Sequence, residues 1–245
     1  MAGLILALQF FTRLPININV EFNDKNLARA LCWLPMVGAV TGLMVGLVLK
    51  YTKGLGDLVS AALGLLAYFY VSGAIHLDGL ADTVDGFMSN KDREKTLLAM
   101  SDSLMGSFGT VALIVYFFLK FSIYASLREN IVPYLVLIST LSKASALIAI
   151  KDFALAKDTG FAKHMHDSLN KYKGVYIELG VLYLALAIYR PLILVPIGLS
   201  QITSLVLYQI SKKKIGGLTG DIYGTIVEVN EIVLGLAVVI WTSIF

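Results

Sequence analysis

Sulfur chemistry is nearly absent from this chain. Its single cysteine, Cys32, excludes an intrachain disulfide, and with only three histidines, His76, His164 and His166, a Cys/His zinc site is not expected. Charge is scarce as well: 15% of the 245 residues are charged against 57% hydrophobic, and the mean hydropathy is +0.77. That balance excludes an ordinary soluble globular domain and indicates an all-α, polytopic integral membrane helical bundle. Neither an internal repeat nor a low-complexity tract is evident, and no polar stretch is long enough for a separate soluble domain. A single transmembrane domain over 1–245 is therefore expected. Met1 to Phe11 is apolar but lacks a basic n-region and a small-residue cleavage site, so no signal peptide is expected. No nucleic-acid partner is expected either.

What the chain has in abundance is apolar runs near the ~20 residues that cross a bilayer. They lie at 31–50, 57–77, 104–126, 131–150, 174–188, 191–210 and 222–244, which predicts about seven transmembrane helices. The Arg190-Pro191 step between the fifth and sixth reads as a tight turn or a kink, leaving two spans or one kinked pair over 174–210. Residues 2–14 are too short to span and are expected to dip into the interface as a helix, with membrane lipids as neighbours. Seven crossings put the segments before 31, 78–103, 151–173 and 211–221 on one face, which then carries 14 of the 20 basic residues. By the positive-inside rule that face is cytoplasmic.

The residues that do not belong in a lipid-facing bundle fall on or just below the same face. His76-Leu77-Asp78-Gly79-Leu80-Ala81-Asp82-Thr83-Val84-Asp85-Gly86 spaces three carboxylates at i, i+4 and i+7. On a helix they lie within roughly 40° of one another and repel unless a cation sits among them. Their hard oxygens favour magnesium, with manganese as the substitute, over zinc. The plain alternative is a solvated acidic helix end. A second acidic group, Asp221, Glu228 and Glu231, follows the turn Gly216-Gly217-Leu218-Thr219-Gly220, whose backbone N–H groups could meet a phosphate or simply cap a helix. Asp102 stands where a helix N-cap would fall, with a role as a further site carboxylate as the alternative. Lys120 and Lys143 lie inside apolar spans; Lys143 must pair, and the acidic cluster is the obvious partner, whereas Lys120 could snorkel or line a cavity. His164 and His166 read as surface histidines.

Together these residues resemble the cobalamin synthase family, the adenosylcobinamide-GDP ribazoletransferases. The resemblance is carried by Phe11-Thr12-Arg13-Leu14-Pro15, by the His76–Gly86 motif, by Asp102-Ser103 with Gly106 and Gly109, and by Gly216–Asp221 with Gly224 and Glu228, in the family's order across nearly the whole chain. It implies a magnesium-dependent transferase of the prokaryotic cell membrane with its site facing the cytoplasm. In that reaction a ribose hydroxyl of α-ribazole, or of its 5′-phosphate, attacks the phosphorus attached to cobinamide in adenosylcobinamide-GDP. GMP leaves, and the product is adenosylcobalamin or its 5′-phosphate. Asp78, Asp82, Asp85, Asp102, Asp221 and Glu228 become the candidate metal ligands, with Asp82, Asp85 and Asp102 as candidate catalytic carboxylates. Two departures bear on the phosphate. Ser101 and Leu104 stand where the family usually has basic residues, and its Ser-Arg pair appears as Ser142-Lys143. Phosphate binding is then expected from Lys143, Lys91, Arg93 and Arg13 with Gly217 and Gly220, without the bidentate fork that arginine would bring at position 143. Other corrinoid-pathway enzymes are candidate partners, and a homo-oligomer is compatible with the chain.

Two other readings account for part of the pattern. A CDP-alcohol phosphotransferase-like lipid head-group transferase also uses an aspartate-rich motif, but the alanine-arginine step after its second aspartate is missing here. A cation transporter would explain intramembrane carboxylates and lysines, but predicts a midplane site and related halves.

Overall fold

A computed structural model of the protein describes residues 1–89, 92–102, 104–189 and 191–244. Its helices are α1 (Ala2–Phe11), α2 (Asp24–Cys32), α3 (Leu34–Thr52), α4 (Asp57–Ser72), α5 (Ile75–Met88), α6 (Arg93–Ala99), α7 (Ser107–Ser126), α8 (Ile131–Asp152), α9 (Phe161–Lys171), α10 (Val175–Tyr189), α11 (Leu194–Ile215) and α12 (Gly220–Ile244). Single 3-10 turns follow α3 at Lys53–Leu55 and precede α11 at Pro191–Ile193. The one strand-like feature among the described residues is a parallel bridge between Leu155 and Leu218.

The seven expected crossings are revised by helix length. Five helices, running over Leu34–Leu55, Ser107–Ser126, Ile131–Asp152, Leu194–Ile215 and Gly220–Ile244, are long and apolar enough to span a membrane. The expected span 57–77 is instead a broken element. Gly73 (φ 64) and Ala74 (φ 58) take left-handed conformations, and α4 and α5 meet at 94°, counting as a sixth span only when taken together. The break lets α5 leave the direction of α4 while its carboxylates stay at the end of the bundle. The segment 174–188 forms α10, whose 15 residues reach about 22 Å at ~1.5 Å per residue, short of the ~30 Å hydrocarbon core. Arg190 lies outside the described residues.

The central packing is α3 against α8. Gly38, Gly42 and Gly46 form one stripe on α3, and a Cβ on each would strike the backbone of α8 at Ser139, Leu135 and Val132. Small residues at four-residue spacing let two helices approach to backbone contact, the usual device in a bilayer, where apolar side chains gain nothing by leaving lipid. Gly42→Ile is expected to force the pair apart and cost about 1–3 kcal/mol or more, measurable as a lowered melting temperature in detergent; an unchanged value would refute the close approach.

Short contacts gather several chain segments at one end of the bundle. The amide of Arg13 donates to Val71 O (2.9 Å). Ala156 N donates to Leu218 O and Leu218 N to Ala154 O, both at 2.8 Å. Arg93 donates to Ile215 O (2.8 Å) and Ala156 O (2.6 Å), and Lys171 to Asp24 (2.6 Å). The segments that the charge count assigned to one face thus meet in space. At the opposite end Lys53 donates to Leu127 O (2.7 Å).

Candidate active site

The acidic motif sits where α5 crosses α12. A Cβ on Gly79 would lie 2.7 Å from Asp221 O and 2.8 Å from Asp221 Cα, and one on Gly224 would lie 3.1 Å from the backbone of His76. The two helices therefore touch backbone to backbone at both points, which only glycine permits. The Thr225 hydroxyl pins the crossing, within hydrogen-bond distance of Gly79 O (3.1 Å), Thr83 Oγ1 (2.9 Å) and Asp221 O (2.9 Å). This crossing sets Asp221 of α12 beside the carboxylates of α5.

Asp78 is exposed, and Asp82, Asp85 and Asp221 are half-buried. Asp82 feels the charges of Asp78, Asp221 and Asp85, and Asp221 those of Asp78 and Lys157. The mutual repulsion anticipated from the spacing is present and is extended by a residue 136 or more positions further along the chain. The Thr219 hydroxyl donates to Asp221 (3.1 Å). Among the described residues no three His, Cys, Asp or Glu side chains are arranged closely enough to cage a metal ion by themselves.

Other expected members of the site do different work. Asp85 turns one oxygen to Gly106 N (2.8 Å) and the other to Gly109 N (2.9 Å), capping the first turn of α7, where a carboxylate offsets the helix dipole. Asp102 is therefore not the N-cap of that helix. Gly106 holds the cap position, and the exposed Asp102 accepts from Leu104 N (3.0 Å) in a local turn. Asp102 lacks a side-chain cap role because the chain runs on for several residues before α7 begins. Of the expected phosphate ligands, Arg93 is committed to two backbone carbonyls, strapping α6 to the end of α11 and to the 154–156 loop. Arg13 lies across the α4–α5 break, its side chain against Gly73. Gly217 is packed against Ala154 and Leu155, whereas Gly220 faces open space. Lys91 lies outside the described residues.

Glu228 and Lys143 are corrected outright. Among the described residues neither pairs with the aspartates; both belong to a polar network inside the bundle, which begins one helical turn beyond the Gly224 contact. Glu228, fully buried, accepts from Tyr68 Oη (2.5 Å) and from Tyr116 Oη, with Lys120 Nζ at 3.6 Å and His76 Nδ1 at 3.7 Å. Lys120 bonds Glu231 at 2.5 Å and stands 3.3 Å above the Tyr68 ring. Lys143 pairs with the other oxygen of Glu231 at 3.6 Å, and so not with the acidic cluster. Both lysines thus neutralise the two glutamates, and Lys120 neither snorkels nor reaches the acidic cluster. His164, half-buried on α9, stacks against Phe22 and Phe161, and the half-buried His166 pairs with Ile150 O (2.7 Å).

Sequence reading missed two groups. Tyr68, Tyr116 and His76 complete the buried network, and no periodicity links positions so far apart. Lys157 was counted only as surface charge, yet it faces Asp221 and lines with it a cavity of about 300 Å³.

Comparison with known proteins identifies the family. The family described as cobalamin-5-phosphate synthase matches residues 3–239. An adenosylcobinamide-GDP ribazoletransferase of Treponema denticola is 37% identical, with 95% of each chain covered. Enzymes of the same name from Desulfitobacterium hafniense and Clostridium novyi are 34% and 30% identical, over 95% and 97% of this chain and 94% and 96% of their own. No solved structure matches. With nearly the whole length matched, and with the acidic helix and the glycine-rich turn brought together at one crossing, this chain belongs to the cobalamin-5-phosphate synthase family.

Proposed function

We propose that this protein joins adenosylcobinamide-GDP to α-ribazole or its 5′-phosphate, assembling the nucleotide loop of cobalamin and releasing GMP. Relatives matched over 94–96% of their own length bear the name of that reaction. The observation that carries the reading onto this chain is the α5–α12 crossing, which holds Asp78, Asp82 and Asp221 together at the end of the bundle that also gathers the basic loops.

The chemistry is a substitution at phosphorus. A ribose oxygen of the acceptor bonds to the phosphorus borne by cobinamide, the bond from that phosphorus to the GMP oxygen breaks, and the hydroxyl proton passes to a carboxylate. Asp221 is the proton acceptor in this reading, since it lines the adjoining cavity while facing Asp78. Asp78 and Asp82 would hold magnesium, or manganese in its place, which when bound offsets the charge of the diphosphate. The donor set suits that ion: magnesium keeps several waters and typically takes one or two carboxylates plus substrate phosphates, so a closed protein cage is not needed. Asp85 fixes the register of α5 against α7 and so orients the other two. Arg93 keeps the cavity wall in place rather than clamping phosphate.

The membrane is that of a prokaryotic cell, with the site on the cytoplasmic side, a sidedness supported by the excess of lysine and arginine around it. The direct test is GMP release from adenosylcobinamide-GDP and α-ribazole by protein in liposomes, with magnesium or with EDTA. Release that EDTA abolishes and magnesium or manganese restores is expected. No release by folded protein, together with turnover of CDP-diacylglycerol, would replace this reading with the lipid head-group transferase.

A further inference from the structure

Beside the carboxylates lies a cavity of about 300 Å³, whose lining includes Leu97, Met100, Ser101, Lys157, Phe161, Ala162, Leu218, Thr219 and Asp221. Its walls come from three separate stretches of chain, 97–101, 157–162 and 218–221, that are tied together. Arg93 joins α6 to Ala156 and Ile215, and the Leu155–Leu218 bridge joins the loop before α9 to the turn before α12. Phe161 is held by stacking on Phe10 (5.6 Å between centroids, 14° between planes), which itself stacks on Phe22 at 5.7 Å. The cavity is therefore a preformed slot with one apolar side and one polar side, not a gap between mobile loops.

Its size and chemistry select among the substrates. At about 300 Å³ it lies at the low end of the ~300–1,000 Å³ range for ligand sites, enough for a nucleoside and too small for a corrin macrocycle. Leu97, Met100, Phe161, Ala162 and Leu218 present only carbon and sulfur. A guanine laid against them would leave unpaired each amide or amino group that does not reach the Ser101 or Thr159 hydroxyl, at a cost of about 1–3 kcal/mol for each. A planar base with no exocyclic donors loses nothing there. At the polar end Asp221, with the Thr219 hydroxyl on it, faces Asp78, and Lys157 supplies a cation on the Asp221 side of the cavity.

We propose that this cavity is the acceptor subsite. It seats the apolar aromatic base of the nucleoside against Phe161, Leu97 and Leu218, brings a ribose hydroxyl to Asp221, and receives a 5′-phosphate on Lys157. The inference rests on the transfer reaction proposed above. It makes Lys157 a specificity determinant, drawing the phosphorylated acceptor in preference to the free nucleoside, and it leaves the GDP-linked corrinoid to bind outside the slot.

The test uses protein in liposomes and two variants. Ala162→Phe fills the slot and is expected to raise KM for α-ribazole at least about tenfold, with KM for adenosylcobinamide-GDP moved by less than about twofold. Lys157→Ala is expected to lower the ratio of kcat/KM for α-ribazole 5′-phosphate over α-ribazole by about tenfold, one charge-assisted contact. A rise in both KM values together, or an unchanged acceptor ratio in Lys157→Ala, would overturn the assignment. Calorimetric titration of α-ribazole 5′-phosphate into wild-type protein and each variant separates this inference from the reaction. Binding that both variants weaken supports the subsite even if no GMP is released, and no binding to an otherwise active wild type refutes it.

Discussion

Asp82→Asn is expected to abolish GMP release while leaving the protein folded, and indeed slightly more stable. The side chain keeps its shape, and the contacts that build the crossing, Gly79 on Asp221 and Gly224 on His76, are backbone contacts it does not touch. What changes is charge. Asp82 stands among Asp78, Asp221 and Asp85, so a neutral amide relieves repulsion in the free protein and removes one of the two carboxylates proposed to hold the metal. A loss of about 10³-fold in kcat, roughly 4 kcal/mol of transition-state stabilisation, should accompany a melting temperature in detergent equal to or above that of the wild type. Such opposed signs are the signature of a site that gives up stability for function. Retention of more than about a tenth of the activity would remove Asp82 from the site.

The second large effect lies in the buried network. Lys120→Met should destabilise the bundle by about 3–5 kcal/mol, the range for removing one partner of a buried ion pair. Lys120 touches Glu231 at 2.5 Å and Glu228 at 3.6 Å. Without it two buried carboxylates depend on Lys143, which reaches only Glu231, at 3.6 Å. Replacing the acid as well, in Lys120→Met with Glu231→Leu, should not recover the loss, because Lys143 then loses Glu231 and Glu228 has already lost Lys120, so the penalty of uncompensated buried charge persists. Thermal unfolding of the two singles and the double in detergent measures the coupling. If Lys120→Met melted with the wild type, the network would contribute nothing to stability. Loss of activity in this single variant is expected too, since His76 joins the network to the start of α5.

The candidate site was legible to different depths. That Asp78, Asp82 and Asp85 share a face follows from helical periodicity alone, and the structure keeps them on one helix. Their division of labour did not follow. Asp85 is drawn off by the amides of Gly106 and Gly109, a contact set by how α7 docks on α5. Asp102, which looks like a cap in sequence, is displaced from that role by Asp85. Lys143 was correctly singled out as needing a partner, but the partner is Glu231, chosen by the helix that lies alongside. Lys157 carried no signal, since an isolated loop lysine is indistinguishable from a solvated one until the chain closes a cavity around it.

Composition and hydrophobic run length by themselves determined that this chain is an all-α membrane bundle, because a bilayer admits so apolar a sequence only as helices that satisfy their own backbone. The order of motifs determined which end carries the unusual residues. Only the tertiary structure decided how many helices reach spanning length, through the left-handed pair Gly73 and Ala74 that breaks the second run. It alone brought Asp221 to Asp82, and Tyr68, Tyr116 and Lys120 to Glu228. The reason is physical: periodicity reports which residues share a face of one helix, whereas partners on different helices are selected by close approach at glycines and by the need to neutralise every buried charge.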